Sequence, residues 1–167
     1  MKGSVRIWRI VKKKHAAQAF DGEGARREGG RWNSPGVPVV YTSATISLAL
    51  LEMLVHADQD DLAGGSYVAI PVEIPSSVKV KHIDPSVLPK GWRKWDRSPT
   101  ELRKIGDNWI GECRQAILEV PSAVLPQESN YLINPAHKDM RRLVIGIQEP
   151  IPLDARLLKD EKNRVSR

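Results

Sequence analysis

The sequence predicts a single domain of the α+β class. Segments with strand-like and helix-like patterns are mixed along the 167 residues, without the regular alternation that builds a parallel β-α-β sheet. This length can bury a sizeable core as one domain. The composition, 41% hydrophobic and 28% charged, is that of an ordinary globular protein. We find no internal repeat and no linker that would divide the chain.

The first third of the chain predicts two strands and a helix around a glycine-rich loop. β-branched residues favour a strand in the segment VRIWRIV, and the loop that follows can bring backbone close to a ligand. Thr45 is a good N-cap for a helix whose composition is typical of a buried one. The expected strands are Val5–Val11 and Pro38–Ser43, the expected helices are a short basic one at 12–20 and Ile46–Ala57, and the loop is Asp21–Gly36.

The remaining two thirds predict further strands and one irregular helix. Pro71 indicates a sheet edge or a bulge in its strand, and Gly106 and Gly111 interrupt the helical pattern. The expected strands are 66–74, 78–83, 116–125 and a last core strand at 143–148; the expected helix is 99–113, with a short apolar run in 127–134 and one helical turn at 135–139.

Composition excludes several classes of protein. The net charge of +6 suits an anionic small molecule, an acidic protein partner or nucleic acid. The case for nucleic acid is weak, because only 5% of the residues are aromatic and no long run of lysine or arginine is present. Cys113 is the single cysteine, which we expect to be partly buried in a reducing compartment, and four scattered histidines predict no metal site. Without a spanning apolar run or a secretory signal, a cytoplasmic protein is expected.

Three chemically useful residues come from adjacent predicted elements. Glu52 lies among apolar neighbours in LALLEMLV, so it either lies on a narrow solvent-exposed stripe of the helix or lines a cavity. Arg31 follows two glycines, and is either a solvated loop residue or a bidentate ligand of an anion. Tyr41 either packs in the core or stacks on a planar heterocycle.

Two further groups of polar residues remain open. Arg9 lies among apolar residues in a strand, where it either extends to solvent or faces a pocket. A second group of polar residues lies close together in the sequence: Ser129, Asn130, Asn134 and His137. These residues form either a hydrogen-bonded turn with an N-cap or part of a functional site. There is no phosphate-binding P-loop and no serine-hydrolase elbow, and the glycines lack the context of a dinucleotide-binding Rossmann motif.

Two motifs carry a resemblance to a known family. The stretch GGRWNSPGVPVVYTSATISLALLEMLVH resembles the signature of RES-domain toxins, and ESNYLINPAH resembles their second motif, preceded by a matching WRI strand. The resemblance runs from about Val5 to about Leu153. By motif, the arginine, glutamate and serine that name the family fall on Arg31, Glu52 and Ser129. The family's early arginine and its nicotinamide-facing tyrosine fall on Arg9 and Tyr41.

The resemblance implies a compact fold similar to ADP-ribosyltransferase toxins, which we expect to span residues 1–158. The composition of the last nine residues, KDEKNRVSR, predicts a flexible tail at 159–167. It implies NAD as substrate, with no cofactor and no metal, and either hydrolysis, phosphorolysis or ADP-ribose transfer to a protein. It implies a helix-turn-helix antitoxin of the Xre type that blocks the NAD pocket in a hetero-oligomer and makes any DNA contact.

On this hypothesis Glu52 binds the ribose hydroxyls and Arg31, supported by Arg9, binds the pyrophosphate. Tyr41 stacks on nicotinamide, Ser129 orients that ring or its ribose, and Trp32 and Asn130 are further substrate-binding residues.

Two alternatives belong to other functional classes. The first is an RNA-cleaving toxin with His137 and Glu128 as its acid–base pair. The second is a non-catalytic module that presents Arg31 and Trp32 to a protein partner.

Overall fold

A computed structural model describes residues 3–57, 62–94 and 100–157. These residues form eight strands: β1 (Val5–Lys12), β2 (Val40–Ser43), β3 (Tyr67–Ile74), β4 (Val80–His82), β5 (Ile117–Pro121), β6 (Ser129–Ile133), β7 (Val144–Ile145) and β8 (Glu149–Ile151). They form three α-helices, α1 (Glu23–Glu28), α2 (Ile46–His56) and α3 (Thr100–Glu112), and short 3-10 helices at Lys13–Gln18, Pro85–Val87, Lys138–Arg142 and Ala155–Leu157. The expected tail, 159–167, lies outside the described residues.

One mixed sheet organises the fold. Its strand order is β4-β5-β6-β2-β1-β3-β7, and β8 also pairs with β3. Neighbouring strands are antiparallel except β4 and β5, which are parallel. This mixture of helices with a largely antiparallel sheet confirms the α+β class. No helix of the described residues is long and apolar enough to cross a bilayer.

Strand alternation divides the core between the two faces of the sheet. Ile117 and Ile133 face one cluster, whereas Leu118 and Leu132 face another that contains Trp109 of α3. A smaller third cluster lies under the first 3-10 helix and includes Val68 and Ile70 of β3. Helix α3 therefore covers the second face, the one to which strand alternation assigns Tyr41, Ser43 and Asn130.

The segment 143–148 is not the core strand that the sequence predicts. Only β7, Val144–Ile145, pairs with β3, and the side chains at its outer edge are exposed, 59% for Val144 and 85% for Ile147. Leu143 alone reaches the first cluster. The apolar composition of the segment reflects an unpaired sheet edge rather than burial, and composition cannot distinguish the two.

Pro71 lies within the sheet, where a missing N–H would normally cost a ladder hydrogen bond. Its own strand is paired on one side with β1 along its whole length, so Pro71 is not at a free edge. On the other side it falls between the short pairings of β8 and β7, and its carbonyl accepts a hydrogen bond from Gly146 N at 2.8 Å. The interruption between β7 and β8 thus accommodates the proline.

Helix α2 begins and ends close to its predicted bounds but is much less buried than its composition suggests. Only Leu48 and Ala49 are buried, while Leu51 is 39% and Val55 57% exposed. An apolar helix of this kind normally lies inside a core. Here α2 packs against β1 and β2 by one face and leaves apolar side chains on the other. The prediction of a buried helix is wrong for that outer face.

Cys113 also differs from expectation. It is exposed, and it follows the last residue of α3 with a φ of 50°. The predicted partly buried thiol is therefore wrong, because the helix ends one residue earlier and turns the side chain outwards.

No group of three or more metal-ligating side chains is found among the described residues.

Replacing Thr45 by alanine should destabilise the protein by about 1 kcal/mol. The Thr45 hydroxyl accepts a hydrogen bond from Leu48 N at 3.0 Å, which caps α2, and donates to Glu128 Oε2 at 2.7 Å. Urea denaturation of Thr45→Ala and Thr45→Ser measures the effect. The serine variant keeps both bonds and should unfold near the wild-type midpoint; equal losses in the two variants would contradict the capping role.

Candidate active site

A cleft of about 550 Å³ opens where β1 and β2 separate. The two strands pair through Trp8 and Ser43 and then diverge. Strands β1, β2 and β6 form its floor, and α2 and the glycine-rich loop form its walls. The polar and aromatic residues among those that line it are Trp8, Arg9, Glu28, Arg31, Trp32, Tyr41, Thr42, Ser43, Glu52, His56 and Asn130. The structure therefore brings Arg31 and Glu52, 21 positions apart in the sequence, to one cavity.

Glu52 is held in place by two hydrogen bonds to one of its oxygens. Its Oε1 accepts from Ser122 Oγ at 2.8 Å and from Asn130 Nδ2 at 2.6 Å. The Asn130 amide is itself oriented, because its Oδ1 accepts a hydrogen bond from Ser43 Oγ at 2.8 Å. The second carboxylate oxygen, Oε2, lies 3.8 Å from His56 Nε2 and accepts no hydrogen bond from another described residue. One oxygen is thus fixed by the protein and the other is available to a ligand.

Ser122 was missed by the sequence analysis. It is fully buried at the end of β5, where its hydroxyl donates to Glu52 and accepts from Val124 N and Leu125 N. A hydroxyl has one proton to donate and two lone pairs to accept with, so this serine is fully used. In the sequence, Ser122 is only a serine that follows Pro121 at the end of a strand. Nothing in that local pattern indicates a hydrogen bond to Glu52, 70 residues earlier.

Ser129, the serine chosen by motif, does not line the cleft. Successive residues of a strand point to opposite faces of the sheet. Because Asn130 faces Glu52, its neighbour Ser129 is expected on the other side of the strand, and the contact between Ser129 and nicotinamide stays a prediction. The serine that contacts Glu52 is Ser122.

The loop carrying Arg31 is fixed by one face of α3. Arg103 Nε donates to Gly30 O at 3.0 Å, and Asp107 accepts from both Ser34 N at 2.9 Å and Ser34 Oγ at 2.6 Å. Between these contacts Gly106 lies so close to the loop that a Cβ would be 1.7 Å from Trp32 O. The loop is therefore pinned on both sides of Arg31.

Arg31 lines the cleft and bonds to the backbone of a second loop. Its Nη1 donates to Trp92 O at 2.7 Å, in the loop that precedes α3. Burial lowers the pKa of the Arg31 guanidinium, and the charge of Glu52 opposes that shift. Even with a lowered pKa, an arginine stays cationic at neutral pH. The cleft therefore places a positive charge and a carboxylate in one partly desolvated space.

Tyr41 uses its hydroxyl to hold the loop. The hydroxyl donates to Asn33 Oδ1 at 2.7 Å and accepts from Trp32 N at 3.1 Å. Burial raises the pKa of the Tyr41 phenol well above its ordinary value, so the group is neutral. Gly30 is required beside it, because a Cβ there would lie 2.6 Å from the phenol oxygen. Both hydrogen bonds of the hydroxyl are thus made within the protein, and a ligand in the cleft would contact the ring.

Arg9 enters the cleft between the diverging strands. Its Nη1 donates to Tyr41 O at 2.7 Å, whereas its Nε is buried and has no hydrogen-bond partner among the described residues. Burial lowers the pKa of Arg9 to about 10, and the charge of Asp21 opposes that shift. An unpartnered buried donor costs free energy, which a bound anion would recover.

Two residues that the sequence offered for a site are largely buried. Trp32 is 2% exposed and belongs to the second core cluster with Leu102 and Trp109, although it is also among the residues that line the cleft. Its contribution to substrate binding stays a prediction. His137 is 5% exposed and its Nδ1 accepts from Asp139 N at 3.0 Å, which confirms the N-cap.

Comparison with known proteins extends over most of the chain. The family model described as RES domain matches residues 6–154. The chain is 32% identical to "Toxin Res" of Photorhabdus laumondii over 93% of this chain and 99% of that protein. It is 39% identical to the "Prs ADP-ribosylating toxin" of a Sphingobium species over 81% and 85%.

A solved structure shows a similar fold. The crystal structure of the M. tuberculosis MbcT-MbcA toxin-antitoxin complex includes a chain with a TM-score of 0.74 and 18% identity, covering 89% of this chain and 84% of that one.

Proposed function

Since the chain belongs to the RES-domain family, we propose that it is the toxin of a toxin–antitoxin pair and cleaves the nicotinamide–ribose bond of NAD. The supporting observation is the Glu52 carboxylate, which Ser122 and Asn130 hold by one oxygen inside a cleft that also contains Arg9 and Arg31. A fixed anion beside two cations suits a substrate with a cationic reacting sugar and an anionic pyrophosphate.

The reaction needs charge stabilisation more than proton transfer. When the glycosidic bond breaks, nicotinamide takes the bonding electrons and leaves as a neutral molecule, so no general acid is required. Positive charge grows on the ribose, as in other glycosidic cleavages. Oε2 of Glu52 accepts hydrogen bonds from the ribose hydroxyls, and its negative charge stabilises the cationic sugar.

The two arginines bind the phosphates. Arg9, which lines the cleft and keeps one buried nitrogen unpartnered among the described residues, supplies one cation, and Arg31 supplies a second from the loop clamped by α3. The ring of Tyr41 stacks on nicotinamide, with its plane set by the bonds to Asn33 and Trp32. These contacts hold the dinucleotide in the geometry from which the bond breaks.

The acceptor of ADP-ribose defines three related enzymes. Water gives ADP-ribose and a proton, and inorganic phosphate gives ADP-ribose-1″-phosphate. A protein side chain gives a modified protein. A protein acceptor is supported by the 39% identity to a relative named as an ADP-ribosylating toxin. We propose glycohydrolase or phosphorylase activity as the leading form and ADP-ribose transfer to a protein as the alternative.

The partner in this proposal is an antitoxin of the Xre helix-turn-helix type that covers the cleft in the cytoplasm. The similar fold of a chain solved in a toxin-antitoxin complex supports an antitoxin partner. DNA contact would then be made by the antitoxin.

Mass spectrometry of purified protein incubated with NAD tests the proposal and separates the acceptors. The reactions are run with and without inorganic phosphate and with added cell extract. Free nicotinamide should appear in every case. ADP-ribose beside it identifies a glycohydrolase, ADP-ribose-1″-phosphate identifies a phosphorylase, and a modified protein identifies an ADP-ribosyltransferase. Intact NAD in all three reactions, from folded protein freed of antitoxin, would refute NAD cleavage; a parallel incubation with RNA tests the nuclease alternative.

Ser122→Ala should lower kcat for NAD cleavage by up to about 10²-fold, the loss expected for a misplaced reacting group. The change removes one donor from Glu52 and leaves the Val124 and Leu125 N–H groups without their acceptor, which should also cost about 1–3 kcal/mol of stability. Steady-state kinetics below the melting temperature measure the first effect and thermal unfolding the second. Ser86→Ala, at an exposed serine, is the control; a folded Ser122→Ala enzyme with wild-type kcat would remove Ser122 from the site.

A further inference from the structure

The cleft contains an aromatic side chain that the function described above does not use. Trp8 lies on β1 directly opposite Ser43, at the position where β1 and β2 are paired. It lines the cleft and is only half-buried. The next residues along the strand, Ile7 and Arg9, point to the face opposite that of Trp8, and Ile7 is in the first core cluster.

Trp8 is not a core residue. None of the three hydrophobic clusters of the described residues includes it, although tryptophan on a central strand usually packs into a core. Its indole N–H has no acceptor among those residues, whereas Trp109 Nε1, in the core, donates to Gln115 O at 2.9 Å. A large flat surface and a free donor are thus presented to the cleft.

Trp8 faces Ser43 across the strand pair, and apolar side chains form part of the cleft wall. Ile10 follows Trp8 on the same face of β1, and Ala49, Met53 and Ala57 of the α2 side line the same cleft. This combination suits an uncharged heteroaromatic ring that stacks on the indole and accepts one hydrogen bond. Tyr41 is the other cleft aromatic with an accessible ring, since Trp32 is 2% exposed.

We propose that Trp8 is the stacking platform for the adenine ring of the dinucleotide. This inference rests on the proposed function, which assigns Tyr41 to nicotinamide and leaves the second base without an aromatic partner. Adenine is uncharged and carries ring nitrogens that accept hydrogen bonds, so it matches both the apolar wall and the indole N–H. Trp8 then determines the specificity for an adenine dinucleotide and takes no part in bond cleavage.

Binding of AMP and of nicotinamide, each measured by calorimetry, tests the assignment one ring at a time. In Trp8→Leu, which keeps an apolar side chain but loses the flat ring, AMP affinity should fall roughly tenfold or more, the size of one base–aromatic stacking contact. Trp8→Phe should recover a large part of it. Nicotinamide affinity should stay the same in both variants, and the KM for NAD should follow the AMP affinity.

The change Val11→Ala, on the same strand but not among the residues that line the cleft, controls for a general loss of packing, and thermal unfolding confirms that each variant is folded. A fall in nicotinamide affinity instead of AMP affinity would place Trp8 in the other subsite and overturn the proposal. Unchanged AMP affinity in Trp8→Leu, or no AMP binding by the wild type, would also overturn it. These measurements need no turnover, so failure of NAD cleavage in the wild type would be seen separately.

Discussion

Glu52→Gln should abolish most NAD cleavage, lowering kcat by about 10²–10³-fold, while the protein stays folded. Losing one preorganised electrostatic contact to a transition state costs about 2.7–4 kcal/mol. Glutamine keeps the size of the side chain and can accept the Ser122 and Asn130 hydrogen bonds at its carbonyl oxygen. It cannot offer a negative charge to the ribose, so the loss should fall on kcat.

The rate of nicotinamide release, measured at saturating NAD, gives this effect directly. Glu149→Gln is a matched control, since it removes the same charge from an exposed residue of β8. The control should keep the wild-type rate and, like Glu52→Gln, a nearly unchanged melting temperature. Wild-type turnover by folded Glu52→Gln would mean that another group stabilises the reacting sugar, and the mechanism proposed above would be wrong.

Gly106→Ala should be the most destabilising single-methyl change in the described chain, costing about 3 kcal/mol. The new Cβ would lie 1.7 Å from the carbonyl oxygen of Trp32, a backbone atom that cannot rotate away. Overpacking of this kind usually costs about 1–3 kcal/mol and occasionally more. For a chain of this size the melting temperature should fall by roughly 6–12 °C. Because Trp32 follows Arg31, the KM for NAD should rise as well.

Gly111→Ala is the matched control, five residues along the same helix. No atom lies within 4 Å of the position that its new methyl group would take, and neither glycine has a positive φ. Alanine is the better helix former, so this change should stabilise the protein by about 0.5–1 kcal/mol. Differential scanning calorimetry of the two variants should therefore give shifts of opposite sign. A similar small gain in both would show that α3 does not approach the loop as closely as described.

Much of the secondary structure could be predicted because its signals are local. The strand VRIWRIV, the Thr45 cap and the bounds of α2 follow from residue preferences and spacing over a few positions, and each is close to what is observed. The glycines of α3 show the limit of such signals. They predicted an irregular helix, yet α3 is continuous, and Gly106 serves a close contact with a loop more than 70 residues earlier in the chain.

The candidate site was predicted in part. Arg9, Arg31, Tyr41, Glu52 and Asn130 all line one cleft, as the motifs led us to expect. The roles of Trp32 and Ser129 stay predictions, since the Trp32 ring is 2% exposed and Ser129 is not among the residues that line the cleft. Residue types and spacing indicate which side chains can do chemistry, but not which way a strand turns them.

The amino-acid sequence by itself determined the family, the α+β class and the central pair of an arginine and a glutamate. Tertiary structure alone decided that Ser122 holds Glu52, that α3 pins the Arg31 loop, and that one apolar face of α2 is exposed. The physical reason is distance along the chain. Caps and periodicities act over a few residues, whereas the bond from Ser122 to Glu52 joins residues 70 apart and exists only once β5 and α2 have been brought together.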